Sequence, residues 1–134
     1  MEIVHDPNAA DTKRFSVKPP TDARVAALTA MRLWSDVDEL ARYAAARHGY
    51  TNSNSYSGVT YPTDLDEADL ADREPIPPGY VEVTSGLADP VEADYLIAEP
   101  EYLELLRQYL LILGKPEFAQ QVAKLAKSPQ KADD

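Results

Sequence analysis

Carboxylates are the residues of this chain best placed to do chemistry, and six of them crowd into eleven positions: Asp64, Asp66, Glu67, Asp69, Asp72 and Glu74. Such a run suits three chemistries: calcium ligation, acid–base catalysis, or attraction of a basic surface. A calcium loop needs oxygen ligands at alternating positions, a glycine at the sharp turn and a closing bidentate glutamate. Asp64 and Asp66 have that spacing, but Ala68 replaces the third ligand, Asp69 stands where glycine is required, and Pro75 falls where the glutamate belongs. Catalysis by a carboxylate pair stays open as an alternative, because spacing in sequence does not report distance in space. Its mark would be an organised pocket holding two acids of perturbed titration.

The other parts of an active site are missing from the sequence. There is no cysteine, which removes thiolate nucleophiles, disulfides and cysteine-ligated metal sites. The two histidines, His5 and His48, are not in a His-x-x-x-His pair. Neither a phosphate-binding glycine loop nor a Gly-x-Ser-x-Gly elbow is present, and five glycines leave little from which to build one. The reading is a non-catalytic protein without cofactor or metal.

Charge then points to the function class. The net charge of −10 is localised: residues 1–48 hold seven basic and seven acidic residues, residues 105–134 five and three, and residues 49–104 thirteen acids against Arg73 alone. A patch of that sign repels phosphate backbones, which argues against nucleic acid, and attracts a basic protein, steering its approach. The same run is also what a solvated, solubilising loop looks like. Just before it, residues 50–62 interleave Tyr50, Tyr56 and Tyr61 with Ser, Asn and Gly, the mixture of rigid rings and adaptable hydrogen-bonding groups that binding loops use. These tyrosines and the six acids are the candidate partner-binding residues, and composition makes 50–62 the least structured stretch of the chain.

Positioning these groups falls to helices at both ends and strands between. Residues 1–20 read as an irregular arm with a short strand at 14–18, stopped by Pro19-Pro20. Thr21 caps a helix over 22–34, and Ser35, with Asp38 three residues on, caps a second that Gly49 ends. One long helix over 22–48 is the close alternative. A short helix is expected over 64–73, ended by Pro75, Pro77 and Pro78. Residues 79–84 and 91–98 have the β-branched and aromatic content of a hairpin joined through 85–90, with 14–18 and 58–61 as candidate further strands. Glu99 to Leu113, with Pro100 at its first helical position, is apolar around much of its circumference, which marks a core or interface helix. A last helix starts at Pro116. The expected class is α+β, one domain over 1–134 with flexible ends at 1–12 and 128–134. The opening Met-Glu-Ile-Val-His-Asp-Pro has no basic segment or apolar run, and the longest apolar stretch, 110–113, is far too short to span a bilayer, so the cytoplasm is the expected compartment.

Gly79-Tyr-Val-Glu-Val, Tyr95-Leu-Ile-Ala-Glu-Pro-Glu-Tyr-Leu-Glu-Leu-Leu and Leu113-Gly-Lys-Pro-Glu-Phe-Ala, over roughly the last 50 residues, carry a resemblance to small acidic bacterial immunity proteins encoded beside secreted toxins. The likeness is one of size, acidity and strand-then-helix layout. It implies a protein that sits in the producing cell's cytoplasm and neutralises a cognate, basic toxin. The rival reading is a self-associating structural or adaptor protein, with helix 100–113 as a homodimer seam.

Overall fold

Residues 1–10, 14–52, 56–85 and 93–126 are described by the computed structural model, and they form an α+β fold of five helices and two antiparallel sheets. Local signals place the first two helices. Thr21 accepts the Arg24 N–H on its hydroxyl at 3.1 Å and opens α1 (Asp22–Leu33). The chain breaks at Trp34, and α2 (Val37–Ala46) follows, so two helices form and not one. The second cap is Asp36 and not Ser35: its carboxylate takes the Asp38 N–H at 3.1 Å, and the expected Ser35–Asp38 box does not form. A carboxylate one residue later in the chain reaches the same orphan donors and adds a charge favoured by the helix dipole. Arg47, not Gly49, turns the chain out of α2, in the left-handed conformation (φ 49°). That conformation is uncommon for a side-chain-bearing residue. Here the Arg47 guanidinium is anchored on buried Glu99 at 3.0 Å, and the His48 N–H returns to the Tyr43 carbonyl at 2.9 Å.

The opening segment is more ordered than an irregular arm. Glu2–His5 (β1) pairs with Phe15–Lys18 (β2) in a two-stranded sheet whose register sets Ile3 against Val17 and His5 against Phe15. Ile3 and Val17 are both buried, and the Ile3 N–H donates to Gln108 Oε1 at 2.6 Å. His5 stacks on Phe15 with ring centres 4.7 Å apart. One fully buried apolar residue per strand, Ile3 and Val17, docks this edge, and a four-residue strand such as β1 is too short to announce itself by periodicity.

The main sheet has the order β3–β4–β5–β6, from Tyr50–Asn52, Ser57–Thr60, Tyr80–Ser85 and Ala93–Ala98. Thus β5 and β6 form the expected hairpin, and β4 supplies one expected extra strand, while β2 goes to the other sheet. Residues 86–92 and 127–134, on which most of the expected connection 85–90 and the expected flexible end fall, lie outside the described residues. The stretch 50–62, expected to be least structured, instead contributes β3 and β4, with Tyr50 opposite Val59 and Thr51 opposite Gly58. Gly58 is required there, since a Cβ would collide with the Tyr50 carbonyl oxygen. Val59, Val81, Val83 and Ile97 point from this sheet towards α1 and are buried.

Expected as apolar around much of its circumference, α4 (Glu99–Ile112) is so because it runs through the middle of the molecule, against α1, α2, β1 and α5 (Pro116–Ala126). Glu99, not Pro100, is its first residue. Tyr102, Leu103, Leu105, Leu106, Tyr109 and Leu110 are buried within the chain, each leucine contributing about 2 kcal/mol of transfer free energy, whereas Leu111 is exposed, at 46%.

Candidate functional site

The acidic run is built in two tiers. A short 3-10 turn, Pro62–Asp64, follows Tyr61, and Asp64 faces back into the fold. Its Oδ2 accepts the Gly49 N–H at 2.9 Å and the Tyr61 N–H at 2.7 Å, tying the end of the α2 segment to the end of the β4 segment. Asp66 then caps α3 (Glu67–Asp72) in a reciprocal box with Asp69, each carboxylate accepting the other's backbone N–H at 2.9 and 3.0 Å. The Asp69 N–H, and the further N–H groups around it, hold the Asp66 carboxyl below the usual carboxylate range. Asp64, Asp66 and Asp69 therefore serve the chain's own backbone.

The second tier is free. No residue of α3 is buried. Beyond the Asp64 tie that precedes it, the helix is moored at its end, where Arg73 forks onto Glu82 through two 2.8 Å bonds and Ile76 enters the interior. Glu67, Asp72 and Glu74 are exposed, and among the described residues their carboxylates make no hydrogen bond or ion pair. A helix that buries nothing and spends half its acids on holding its own shape presents the remainder outward.

The three tyrosines divide differently from the sequence expectation. Tyr50 and Tyr61 are 7% and 2% exposed and belong to the interior, so neither stands out on a loop as the sequence suggests. The physical reason is the pleat: β3 and β4 put alternate residues inward, and Tyr50 lies opposite buried Val59. The Tyr50 and Tyr102 hydroxyls meet at 3.3 Å, and burial pushes the Tyr102 phenol up to about 12. Burial also raises the Tyr61 phenol, whose hydroxyl is enclosed without a hydrogen-bond partner. Tyr56 alone, 59% exposed, remains on the surface.

An aromatic surface that the sequence did not single out lies beside Asp64. Trp34, at the break between α1 and α2, approaches Tyr50 at 5.0 Å and Tyr43 at 5.8 Å, edge to face with the latter. Tyr43 stacks on Tyr50 at 5.6 Å and on His48 at 5.7 Å. Glu39 sets the rings: Trp34 Nε1–H donates to its Oε1 and the Tyr43 hydroxyl to its Oε2, both at 3.3 Å. Burial, reinforced by the Glu39 charge, raises the Tyr43 phenol above its ordinary value. His48 lies past the end of α2; its Nδ1 is 2.6 Å from the Gly49 carbonyl oxygen, a contact for the tautomer that carries its N–H on Nδ1. The result is an open depression of about 440 Å³ lined by Trp34, Tyr43, His48, Tyr50, Thr60 and Asp64. The available signal was the one tryptophan at a helix break with Glu39 and Tyr43 at i,i+4, but it becomes a site only when β3 brings Tyr50 alongside.

A further concavity, of about 370 Å³ between β2 and α1, has the opposite character, apolar through Val17, Val25 and Leu28 and edged by Lys18 and Arg32. Among the described residues no cluster of three or more His, Asp or Glu is arranged to hold a metal ion, and no helix is long and apolar enough to cross a membrane. What the acidic face can do chemically is to receive positive charge, on carboxylates at α3 and on ring faces beside it. Compared with protein families, with curated proteins and with solved structures, the chain matches none.

Proposed function

We propose that this chain is a non-catalytic protein-binding protein of the immunity type, which neutralises a cognate basic toxin through its acidic face in the cytoplasm of the producing cell. The observation that carries the reading is α3: six residues, none buried, with Glu67 and Asp72 exposed and Glu74 just beyond, all three surplus to the needs of the fold. Carboxylates held near one another on a surface repel, and a sequence keeps them there at a small cost in stability that an incoming basic surface offsets. Such a surface would speed association at low salt and lose that advantage as ionic strength rises.

Self-association through the apolar face of α4 draws less support. That face is consumed by the chain's own core, and a single exposed Leu111 is too little for a stable seam. The test is affinity capture from the source cell's lysate and secreted proteins, followed by a salt titration with wild type and with the Glu67→Gln, Asp72→Asn, Glu74→Gln variant. One basic protein held stoichiometrically and released by salt, with weaker and flatter release from the variant, is the expected outcome. Identical capture and release by both proteins would remove the acidic face from the mechanism.

A further inference from the structure

Resting on that reading of a basic partner, we propose that the depression formed by Trp34, Tyr43, His48 and Tyr50 is a socket for an arginine side chain of the partner. An aromatic ring carries negative charge on its face and attracts a cation laid over it. Three rings and an imidazole are gathered here with centres 5.0–5.8 Å apart, and the wall beside them is a carboxylate, Asp64. The floor is set before anything binds. Glu39 holds both the indole N–H and the Tyr43 hydroxyl, so little side-chain freedom remains to be lost on contact.

Hydrogen-bonding capacity at the rim selects arginine over lysine. Asp64 lines the depression, and both backbone bonds to it fall on Oδ2, which leaves Oδ1 as an acceptor. A guanidinium is planar and weakly hydrated; it can lie flat on a ring while its edge N–H groups turn to a carboxylate, a combination that a compact ammonium does not offer. Asp64 leads directly into α3, so a basic surface drawn to Glu67, Asp72 and Glu74 arrives next to the socket.

Trp34 is the chain's one tryptophan, so its fluorescence reads this depression alone. The probes are the capped tripeptides Gly-Arg-Gly, Gly-Lys-Gly and Gly-citrulline-Gly, citrulline keeping the shape of arginine without its charge. The expected result is a saturating change in Trp34 emission with the arginine peptide, about tenfold tighter than with citrulline, lysine falling between. Tyr43→Leu should weaken the arginine response about fivefold, Tyr43→Phe should keep most of it, and the Glu67→Gln, Asp72→Asn, Glu74→Gln variant should retain it. Equal responses to arginine and citrulline would overturn the socket, as would a response lost in the charge variant but kept in Tyr43→Leu. Were Tyr43→Leu to misfold, the comparison of arginine with citrulline on wild type still decides. The partner reading fails separately: capture unaffected by the charge variant sinks that reading, whereas capture at full strength by folded Tyr43→Leu sinks only the socket.

Discussion

The hairpin Tyr50–Thr60 and the acidic segment Asp64–Glu74 are neighbours in the chain, and both have the composition of a binding surface, one in tyrosines and the other in carboxylates. In the first region and at its end, two of the three candidate tyrosines are drawn inward, Tyr50 meeting Tyr102 and Tyr61 enclosed, while Tyr56 stays on the surface. In the acidic segment the carboxylates divide, with Asp64, Asp66 and Asp69 bonded to backbone and Glu67, Asp72 and Glu74 left to solvent. Residue type sets what a side chain is able to do, and what competes for it locally decides whether a partner ever meets it. A ring with an apolar core behind it is buried; a carboxylate with orphan N–H groups in reach becomes a cap; one with neither stays free.

The sharpest way to break this comparison is at Tyr61. Tyr61→Ala should cost about 3–5 kcal/mol in denaturant unfolding, as removal of a fully buried aromatic does, and a loss below 1 kcal/mol would mean the ring is not core. Tyr61→Phe should be neutral or slightly stabilising, because the hydroxyl it removes is buried without a partner. Tyr56→Ala, at the exposed end of the same stretch, should stay within about 0.5 kcal/mol of wild type.

Asp64 comes next. Asp64→Asn replaces a charged acceptor of two backbone N–H groups by a neutral amide, and about 1–3 kcal/mol should be lost, with hydrogen exchange accelerated first at the Gly49 and Tyr61 amides. Unchanged exchange at those two amides would refute its role as a tie. The free tier should behave oppositely: Glu67→Gln, Asp72→Asn and Glu74→Gln should each alter stability by no more than about 0.5 kcal/mol while changing the salt dependence of partner capture.

The smallest expected effect concerns α3 by itself. The Asp66 carboxyl titrates below its ordinary value in the folded chain, because the Asp69 N–H and its neighbours bond the ionised form. A depressed folded value stabilises the helix at any pH above the ordinary aspartate range, and that contribution is lost as pH falls through the folded value. Amide exchange at Asp69, corrected for intrinsic rates, should therefore speed up in that acidic window while the Val83 amide in the sheet keeps its protection. A simultaneous loss at both would show that α3 does not open alone.

Much of the architecture was legible beforehand, and the reasons are local. Thr21 lies one hydrogen bond from the helix it caps, prolines after α3 stop it within a few residues, and the alternation in Tyr80–Ser85 needs no distant partner to be read. Strands β2 and β4 fall on the candidates 14–18 and 58–61, whereas β1, its pairing with β2, and β3 were missed because three- and four-residue strands carry too few alternations, and Ser and Asn disguise β3 as turn. The aromatic depression was missed because its members come from the α1–α2 break, α2, its end and β3, which meet only in the folded chain.

The order of residues alone settled the α+β class, the position of the charge excess and the absence of the familiar catalytic motifs, since composition, caps and short-period patterns are properties of adjacent residues. Which rings and carboxylates face outward was decided by tertiary structure. Exposure depends on what packs behind a side chain, as Tyr102 does behind Tyr50, and on which backbone N–H groups come within 3 Å of it: for Asp64 a distant one from Gly49 beside a near one from Tyr61, and for Asp66 a near one from Asp69.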